Sequence, residues 1–178
     1  MEYGNTASVR LAVKEDIDRI AELEQLSFSD PWSKEMLTSC FCDTTDIYVI
    51  EAEGNILGFS VLDRALITEA ELYNIAIAPE ARGKGLSHLL MKKMTDDARE
   101  KGITRIMLEV RASNEAALRL YTHHGFEKVG LRAGYYRNPT ENAILMDLMV
   151  EEAKEPVQCG DAAEKSQPSV SEDPTEQE

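Results

Sequence analysis

The amino-acid sequence predicts one α/β (α+β) domain with a mixed, mostly antiparallel sheet and helices on both faces. Two observations lead to this expectation. The first half holds consecutive strand patterns separated by short turns, which is typical of an antiparallel meander. The middle holds a strand–helix–strand unit, whose two strands should lie parallel with a right-handed crossover. The 178 residues are enough for one domain with a sizeable core.

Local patterns define the elements of the first half. A first strand is expected over residues 9–13, and an amphipathic helix follows from Lys14. Its predicted apolar face consists of Ile17, Ile20, Leu23 and Leu26. After the break at Asp30-Pro31, Ser33 is expected to cap a second helix that ends near Phe41. The next three strands are predicted over residues 46–53, 56–66 and 71–78, with Gly54-Asn55 as the turn between the first two.

The second half contains two helices and three strands by the same criteria. A long helix is expected from residue 86, closed by Gly102. Its predicted apolar face consists of Leu86, Leu89, Leu90, Met94 and Ala98. A strand over residues 103–110 precedes a helix that starts at Asn114 and ends at Gly125. The apolar face of that helix is expected to include Ala117, Leu118, Leu120 and Tyr121. Two final strands are predicted over residues 127–131 and 143–150.

Charge and composition exclude several classes of protein. With 33 acidic and 19 basic residues, the chain lacks the excess of positive charge typical of nucleic-acid binding. No apolar run is long enough for a membrane helix, and no signal peptide is expected. Three cysteines do not make a disulfide framework or a zinc site, so we expect a cytoplasmic protein in a reducing compartment, without a metal.

The carboxyl-terminal segment differs in composition from the rest. Residues 151–178 carry nine acidic and two basic residues and no Leu, Ile, Met or aromatic side chain. Such a segment cannot offset its ordering entropy by burial, so we predict an acidic disordered tail. The expected organisation is a flexible amino terminus over residues 1–7, a folded domain over 8–150 and the tail over 151–178.

The most informative motif joins a strand to the long helix through Arg82-Gly83-Lys84-Gly85. Amide groups at the start of a helix lack partners and lie at the positive end of the helix dipole, which suits a phosphate group. The glycines allow close approach of a ligand, and Arg82 and Lys84 add positive charge. The pattern is neither a Walker loop nor the dinucleotide fingerprint, and by itself it is also compatible with a plain turn.

The surrounding motifs identify a family resemblance. The segments are Pro79-x-x-Arg82-Gly83-Lys84-Gly85-Leu86-Ser87, Leu108-Glu109-Val110-Arg111, Asn114 to Tyr121, and His124-Gly125-Phe126. In this order they resemble the GNAT superfamily of acetyl-CoA-dependent N-acetyltransferases. With Asp30-Pro31-Trp32-Ser33, Leu72-Tyr73-Asn74 and the segment from Arg132 to Tyr136, the chain looks like the RimI-type ribosomal-protein alanine N-acetyltransferases over about residues 8–150. Ser87 departs from the small Gly or Ala of that family's loop.

The resemblance implies a fold detail and a set of site residues. It implies a parallel strand pair that splays apart at the cofactor site and frees a backbone N–H, from residues 75–77, for the thioester oxygen. It implies Glu109 as the base and Tyr121 as the acid. The implied acetyl-CoA contacts are Ile75, Ala76, Ile77, Arg82, Gly83, Lys84, Gly85, Leu86, Ser87, His88 and Asn114.

Elementary chemistry is consistent with these roles. The attacking α-amine must be neutral, and its pKa is about 7.7–8, so a carboxylate in an apolar cleft can accept its proton directly or through water. A phenol can protonate the departing thiolate. The residues alone leave simpler readings open: Glu109 as a solvated strand residue, Tyr121 as a core tyrosine and Asn114 as a helix cap. The motif has no cysteine nearby, so a route through a covalent acetyl-cysteine is not expected.

Other aromatic and histidine residues have two interpretations each. Trp32, Tyr135 and Tyr136 are candidates for binding the peptide substrate, with ordinary packing as the alternative. The remaining candidates, His88, His123 and His124, have no partner pattern in the sequence and are expected to be ordinary helix residues.

The resulting expectation is an enzyme that acetylates the N-terminal α-amine of a basic protein, with the N-terminal alanine of a small-subunit ribosomal protein implied as substrate. A GNAT enzyme acting on another protein N-terminus, a lysine or a small-molecule amine is the alternative. A CoA-binding module without turnover is a third possibility, which the presence of both Glu109 and Tyr121 disfavours. No nucleic acid or membrane partner is expected, and a monomer is compatible with the sequence.

Overall fold

The computed structural model describes residues 6–64 and 66–150. The predicted acidic tail and most of the predicted flexible amino terminus lie outside the described residues, and both stay predictions. In chain order the elements are β1 (Ser8–Leu11), α1 (Ile17–Ser27), α2 (Lys34–Ser39), β2 (Thr45–Ala52), β3 (Asn55–Asp63), β4 (Glu69–Ile77), α3 (Leu86–Glu100), β5 (Arg105–Arg111), α4 (Glu115–His123), β6 (Glu127–Tyr136) and β7 (Glu141–Met149). Short 3₁₀ turns at Lys14–Asp16 and Pro79–Ala81 precede α1 and α3.

The seven strands form one sheet in the order β1-β2-β3-β4-β5-β7-β6. All neighbours are antiparallel except β4 and β5, which are parallel and joined through α3. The predicted α/β fold with one parallel strand pair is therefore confirmed.

The parallel pair separates part-way along its length. Pairing of β4 with β5 runs from Glu69 opposite Arg105 to Leu72 opposite Leu108 and then ends, although both strands continue. At this point β4 carries a bulge against β3, because Val61 lies opposite Asn74 whereas Leu62 lies opposite Leu72. An extra residue bends a strand and increases its twist. The bulge thus accompanies the opening of a V-shaped gap between β4 and β5.

The core lies on both sides of the central strands. Ile47 to Ile50 of β2 are all buried, as are residues 57–62 of β3, and a strand buried at consecutive positions has both faces covered. On α3 the buried positions are Leu86, Leu90, Met91, Met94 and Ala98. Within the described ranges, none of the helices combines the length and hydropathy that a membrane crossing requires.

Two expected apolar positions are exposed. Leu26 on α1 is 54% exposed and Leu89 on α3 is 42% exposed. On α1 the buried side includes Glu24 in place of Leu26, because the carboxylate binds donors from outside the helix. On α3 the buried face includes Met91 in place of Leu89. The helix caps Ser33 and Asn114 are confirmed, each side chain accepting a hydrogen bond from a first-turn amide.

Candidate active site

A cleft of about 570 Å³ opens where β4 separates from β5. Its walls come from the end of α1, the second half of β4, the loop before α3 and the first turns of α3 and α4. The lining residues include Ser27, Phe28, Ile75, Ala76, Ile77, Arg82, Gly83, Gly85, Leu86, Ser87, His88, Asn114, Ala117 and Leu120. Ten of the eleven predicted cofactor residues therefore surround one cleft, and Lys84 is the exception.

The loop before α3 adopts a left-handed backbone conformation at two glycines. Gly83 and Gly85 have φ values of 73° and 77°, in the left-handed region. No side chain caps the start of α3, and an added Cβ at either glycine would meet open space. Arg82 is turned back, with Nε donating to the Ile77 carbonyl at 3.0 Å. The loop thus presents backbone amides to the cleft, as anion binding at a helix start requires.

Strand β4 contributes amide groups to the same cleft. The amide of Ala78 donates to the Leu57 carbonyl at 2.8 Å, and hydrogen-bonded pairs alternate along an antiparallel ladder. The amides of Ala76 and Ala78 therefore face β3, whereas those of Ile75 and Ile77 face the other side. On that side the partner strand has already departed. The predicted oxyanion donor thus has two candidates, Ile75 and Ile77.

Glu109 lies on β5 beyond the point where the parallel pairing ends. Its Oε1 forms an ion pair with Arg132 Nη1 at 2.7 Å, and its side chain is 18% exposed. A hydrogen bond with Glu109 is the main reason that the pKa of Tyr135 is raised. The guanidinium of Arg132 also lies 4.9 Å from the Tyr135 ring centre. The expectation of an apolar cleft around Glu109 is wrong, because a cation and a phenol contact the carboxylate.

Tyr121 is buried on α4, with its ring 5.7 Å from that of Phe126. It does not appear in the wall of the cleft. Burial, followed by the nearby Tyr136, raises the pKa of its phenol well above the usual range. The hydroxyl therefore keeps its proton at every physiological pH. Both the predicted acid and the alternative of a core tyrosine remain compatible with this placement.

The loop that carries Trp32 is fixed by a buried carboxylate. Glu24 on α1 is 1% exposed and accepts hydrogen bonds from the Trp32 amide and from Asn74 Nδ2, both at 2.9 Å. Burial raises the pKa of Glu24 despite these donors. The Trp32 ring packs 5.5 Å from that of Tyr73, the residue at the β4 bulge. Trp32 thus lies beside β4, at the level where the two strands separate.

Aromatic and charged side chains of β4, β5, β6 and the Trp32 loop lie on the side of the sheet opening where Glu109 is found. The ring of Tyr136 lies against Tyr135 and beneath the guanidinium of Arg111, at 5.1 and 4.2 Å. Burial raises the pKa of Tyr136, and the charge of Glu109 raises it further. On β4, burial and the charge of Glu109 raise the pKa of Glu71. We call Trp32, Tyr73, Glu71, Glu109, Arg132, Tyr135 and Tyr136 the acceptor group.

Sequence reasoning missed part of this arrangement. It did not assign Glu24, Glu71, Tyr73 or the pairing of Arg132 with Glu109. For Glu24 a signal was present, since a glutamate four residues after Ile20 falls on the apolar face of the helix. His88 and His123 are helix residues as predicted and His124 is the C-cap of α4, but the sequence did not reveal that the three rings contact one another. In the described part of the chain, no cluster of His, Cys, Asp and Glu is arranged to hold a metal.

Known proteins share both the sequence and this fold. The profile described as "Acetyltransferase (GNAT) family" matches residues 17–126, more than half of the chain. The chain belongs to the GNAT acetyltransferase family. A ribosomal protein bS18-alanine N-acetyltransferase of Haemophilus influenzae is 37% identical to this GNAT protein over 135 residues, 74% of this chain and 90% of that protein.

Two solved structures share this fold. The ribosomal-protein-S18-alanine N-acetyltransferase of Escherichia coli aligns with a TM-score of 0.78 at 29% identity, over 84% of this chain and 97% of that one. A GNAT acetyltransferase of Elizabethkingia anophelis with acetyl-CoA bound has the same fold, with a TM-score of 0.66 at 19% identity over 82% and 99% of the two chains. The resemblance to RimI-type enzymes is therefore confirmed.

Proposed function

We propose that this GNAT protein transfers the acetyl group of acetyl-CoA to the N-terminal α-amine of a protein, with the N-terminal alanine of ribosomal protein bS18 as the substrate. The observation that carries the proposal is the gap between β4 and β5, with a phosphate-type loop on one side and the acceptor group beside it. The substrate follows from the relatives, which bear this activity in their names and align with most of the domain.

The residues of the cleft fit acetyl-CoA. The uncapped amides of Leu86 and Ser87 at the start of α3 suit its diphosphate, and a cleft of about 570 Å³ suits its elongated chain. Glycine at 83 and 85 keeps the loop free of side chains that would block the approach. When bound, acetyl-CoA supplies an acetyl thioester. The amides of Ile75 and Ile77 would stabilise negative charge on its carbonyl oxygen.

Glu109 and Tyr121 are the residues we assign to proton transfer. Arg132 Nη1 lies 2.7 Å from Glu109 Oε1 and positions the carboxylate. A carboxylate can accept a proton from the α-ammonium or from a bridging water. Tyr121 is protonated throughout the working pH range and can donate to the departing sulfur. Tyr135 and Tyr136 lie beside the carboxylate, and Trp32 packs against Tyr73 on β4. These three aromatic residues would hold the first residues of the peptide.

A direct assay tests the proposal. Full-length protein is incubated with acetyl-CoA and a peptide panel that includes the bS18 N-terminus, the same peptide with its α-amine blocked, and peptides with internal lysines. Mass spectrometry should find one acetyl group on the free α-amine of the bS18 peptide and none on the blocked form. Acetylation of the blocked peptide at lysine would instead support the alternative amine substrate.

A further inference from the structure

The chain contains three histidines, and all three meet beside the cleft. His88 lies in the first turn of α3, His123 ends α4 and His124 follows it. The ring centres of His88 and His123 are 4.8 Å apart, those of His88 and His124 5.1 Å, and those of His123 and His124 5.4 Å. We call these three residues the histidine cluster.

The histidine cluster adjoins the loop that would hold phosphate groups. His88 lines the cleft together with Arg82, Gly83 and Gly85, and its amide bonds to the Gly85 carbonyl at 3.0 Å. His124 is half-buried behind it. Of the three histidines, His88 is the one that lines the cleft, so it is the member of the cluster nearest to phosphates bound at the start of α3.

The contact between two of the rings determines what the cluster can bind. His88 Nδ1 and His124 Nε2 are 3.0 Å apart, so one ring donates a hydrogen and the other accepts it. In the neutral pair only one of the two outer nitrogens carries a hydrogen, and the other repels an anion. One added proton places hydrogens on both outer nitrogens, so the pair becomes a cation with a donor at each end, and the end that faces a phosphate no longer repels it.

Without a ligand His124 resists this added proton. Burial lowers the pKa of His124, and the neighbouring His88 and His123 lower it further. Arg82, on the loop packed beside them, is also a cation. An anion bound at this position would remove the repulsion between these positive groups, and protonation would then accompany binding.

We propose that His88, His123 and His124 form a proton-linked subsite for the phosphate groups of acetyl-CoA. This inference rests on the proposed function and adds a pH dependence to cofactor binding. By linkage, a group that gains a proton on binding makes affinity rise as pH falls. With one proton involved, the affinity for acetyl-CoA should increase about three- to tenfold between pH 7.5 and pH 6.

Calorimetry measures the proton directly. Acetyl-CoA is titrated into the full-length protein at pH 6.5 in buffers of different ionisation enthalpy, which gives the number of protons taken up. We expect an uptake of about half to one proton in the wild type and almost none in His88→Gln or His124→Gln. Since the chain has three histidines, their imidazole NMR signals can be assigned with single variants and followed in the same titration.

A comparison with the 3′-dephospho form of the cofactor shows which phosphate group the histidine cluster binds. The 3′-phosphate of CoA is a monoester that itself titrates near pH 6, whereas 3′-dephospho-CoA keeps only the diphosphate. Uptake with both compounds that is lost in the histidine variants supports the subsite and assigns it to the diphosphate. Uptake with acetyl-CoA alone that is lost in the same variants assigns it to the 3′-phosphate.

Two outcomes would contradict the subsite, and they can be told apart. Binding of acetyl-CoA without proton uptake, or uptake that persists in a His88→Gln/His124→Gln double variant of unchanged melting temperature, would overturn the subsite and leave the proposed function intact. Failure of the wild type to bind acetyl-CoA at any pH would overturn the proposed function together with the subsite.

Discussion

Arg132 on β6 and Glu109 on β5 are joined by an ion pair of 2.7 Å, although β7 lies between their strands. On the middle strand Glu109 lies opposite Leu145 and Arg132 lies opposite Ala143, so the ion pair runs diagonally across β7. The guanidinium also lies 4.9 Å from the ring centre of Tyr135, whose hydroxyl hydrogen-bonds with Glu109. These contacts fix the position of the carboxylate to which we assign the base role in the proposed function.

Replacing Glu109 by Gln should lower kcat about 10²- to 10⁴-fold, because an amide cannot accept the proton. Affinity for acetyl-CoA should change little, since Glu109 does not line the cleft. Activity should recover partly at high pH, where the substrate amine is already neutral. Steady-state rates from pH 6 to 10 give the comparison. Glu115→Gln, an exposed glutamate paired with Arg119 on α4, is the control and should keep wild-type rates.

Tyr121→Phe tests the acid. Removing the hydroxyl should reduce kcat about 10²-fold or more with little change in KM, because the proton for the departing thiolate is lost. Tyr48→Phe removes another buried phenol, on β2 and away from the cleft, and should leave kcat unchanged. If the two variants are equally active, Tyr121 is a core tyrosine and the proton comes from elsewhere.

Two glycines allow a matched test of the loop before α3. Gly85 and Gly102 have φ values of 77° and 74°, and an added Cβ meets nothing within 4 Å at either. Alanine at each should therefore cost a similar free energy of unfolding, about 1–2 kcal/mol, from the left-handed backbone alone. Only Gly85 lines the cleft.

We expect Gly85→Ala to weaken acetyl-CoA binding about tenfold or more, while Gly102→Ala binds as the wild type does. Melting temperatures and calorimetric affinities of both variants decide the point. Equal affinities would mean that the loop lies away from the cofactor.

The elements were largely predictable from the sequence, whereas the polar contacts across elements were not. Caps and turns act locally, so Ser33, Asn114 and Gly102 could be assigned from a few neighbouring residues. Strand ends were less accurate: β6 continues to Tyr136 instead of residue 131, because pairing with β7 resumes beyond an irregular stretch.

Site residues from the continuous segment 82–88 lie close together as expected, because a loop and the first turn of the helix that follows it are adjacent in the chain. The pairing of Glu109 with Arg132 joins residues 23 positions apart across an intervening strand, and no local pattern encodes it. The histidine cluster likewise depends on how α3 packs beside α4.

Glu24 provides a stability prediction with a defined sign. Its pKa is raised in the folded state by burial, so the folded protein holds a proton that the unfolded chain has released. Its contribution to stability is therefore full below the usual glutamate pKa of about 4.3 and is lost as pH rises through the folded pKa. Glu24→Gln removes this pH dependence.

Glutamine also accepts from only one of the two donors, Trp32 N–H and Asn74 Nδ2, and leaves the other facing an amide NH₂. The variant should lose about 1–3 kcal/mol near pH 4.5, and the deficit should shrink toward pH 7. Urea unfolding across this range measures both effects. Glu22→Gln, on the same helix but exposed and paired with Arg19, should follow the wild-type pH curve.

The charge of the chain gives a last prediction, about how the protein substrate arrives. Residues 1–150 carry 24 acidic and 17 basic residues, and residues 151–178 carry nine and two, so each part has a net charge of −7. Such a field accelerates encounter with a basic peptide at low salt and is screened over about 10 Å at 0.1 M ionic strength. For a basic N-terminal peptide, kcat/KM should fall several-fold from 20 to 300 mM salt.

A neutral peptide with the same first residues isolates this effect, because it keeps the contacts with the acceptor group and loses only the long-range attraction. Its kcat/KM should change little over the same range of salt. Removing residues 151–178 should flatten the salt dependence for the basic peptide if the tail contributes to the field, and should leave it unchanged if the folded domain alone does. Equal salt dependence for both peptides would contradict steering and leave substrate choice to the contacts around Trp32, Tyr135 and Tyr136.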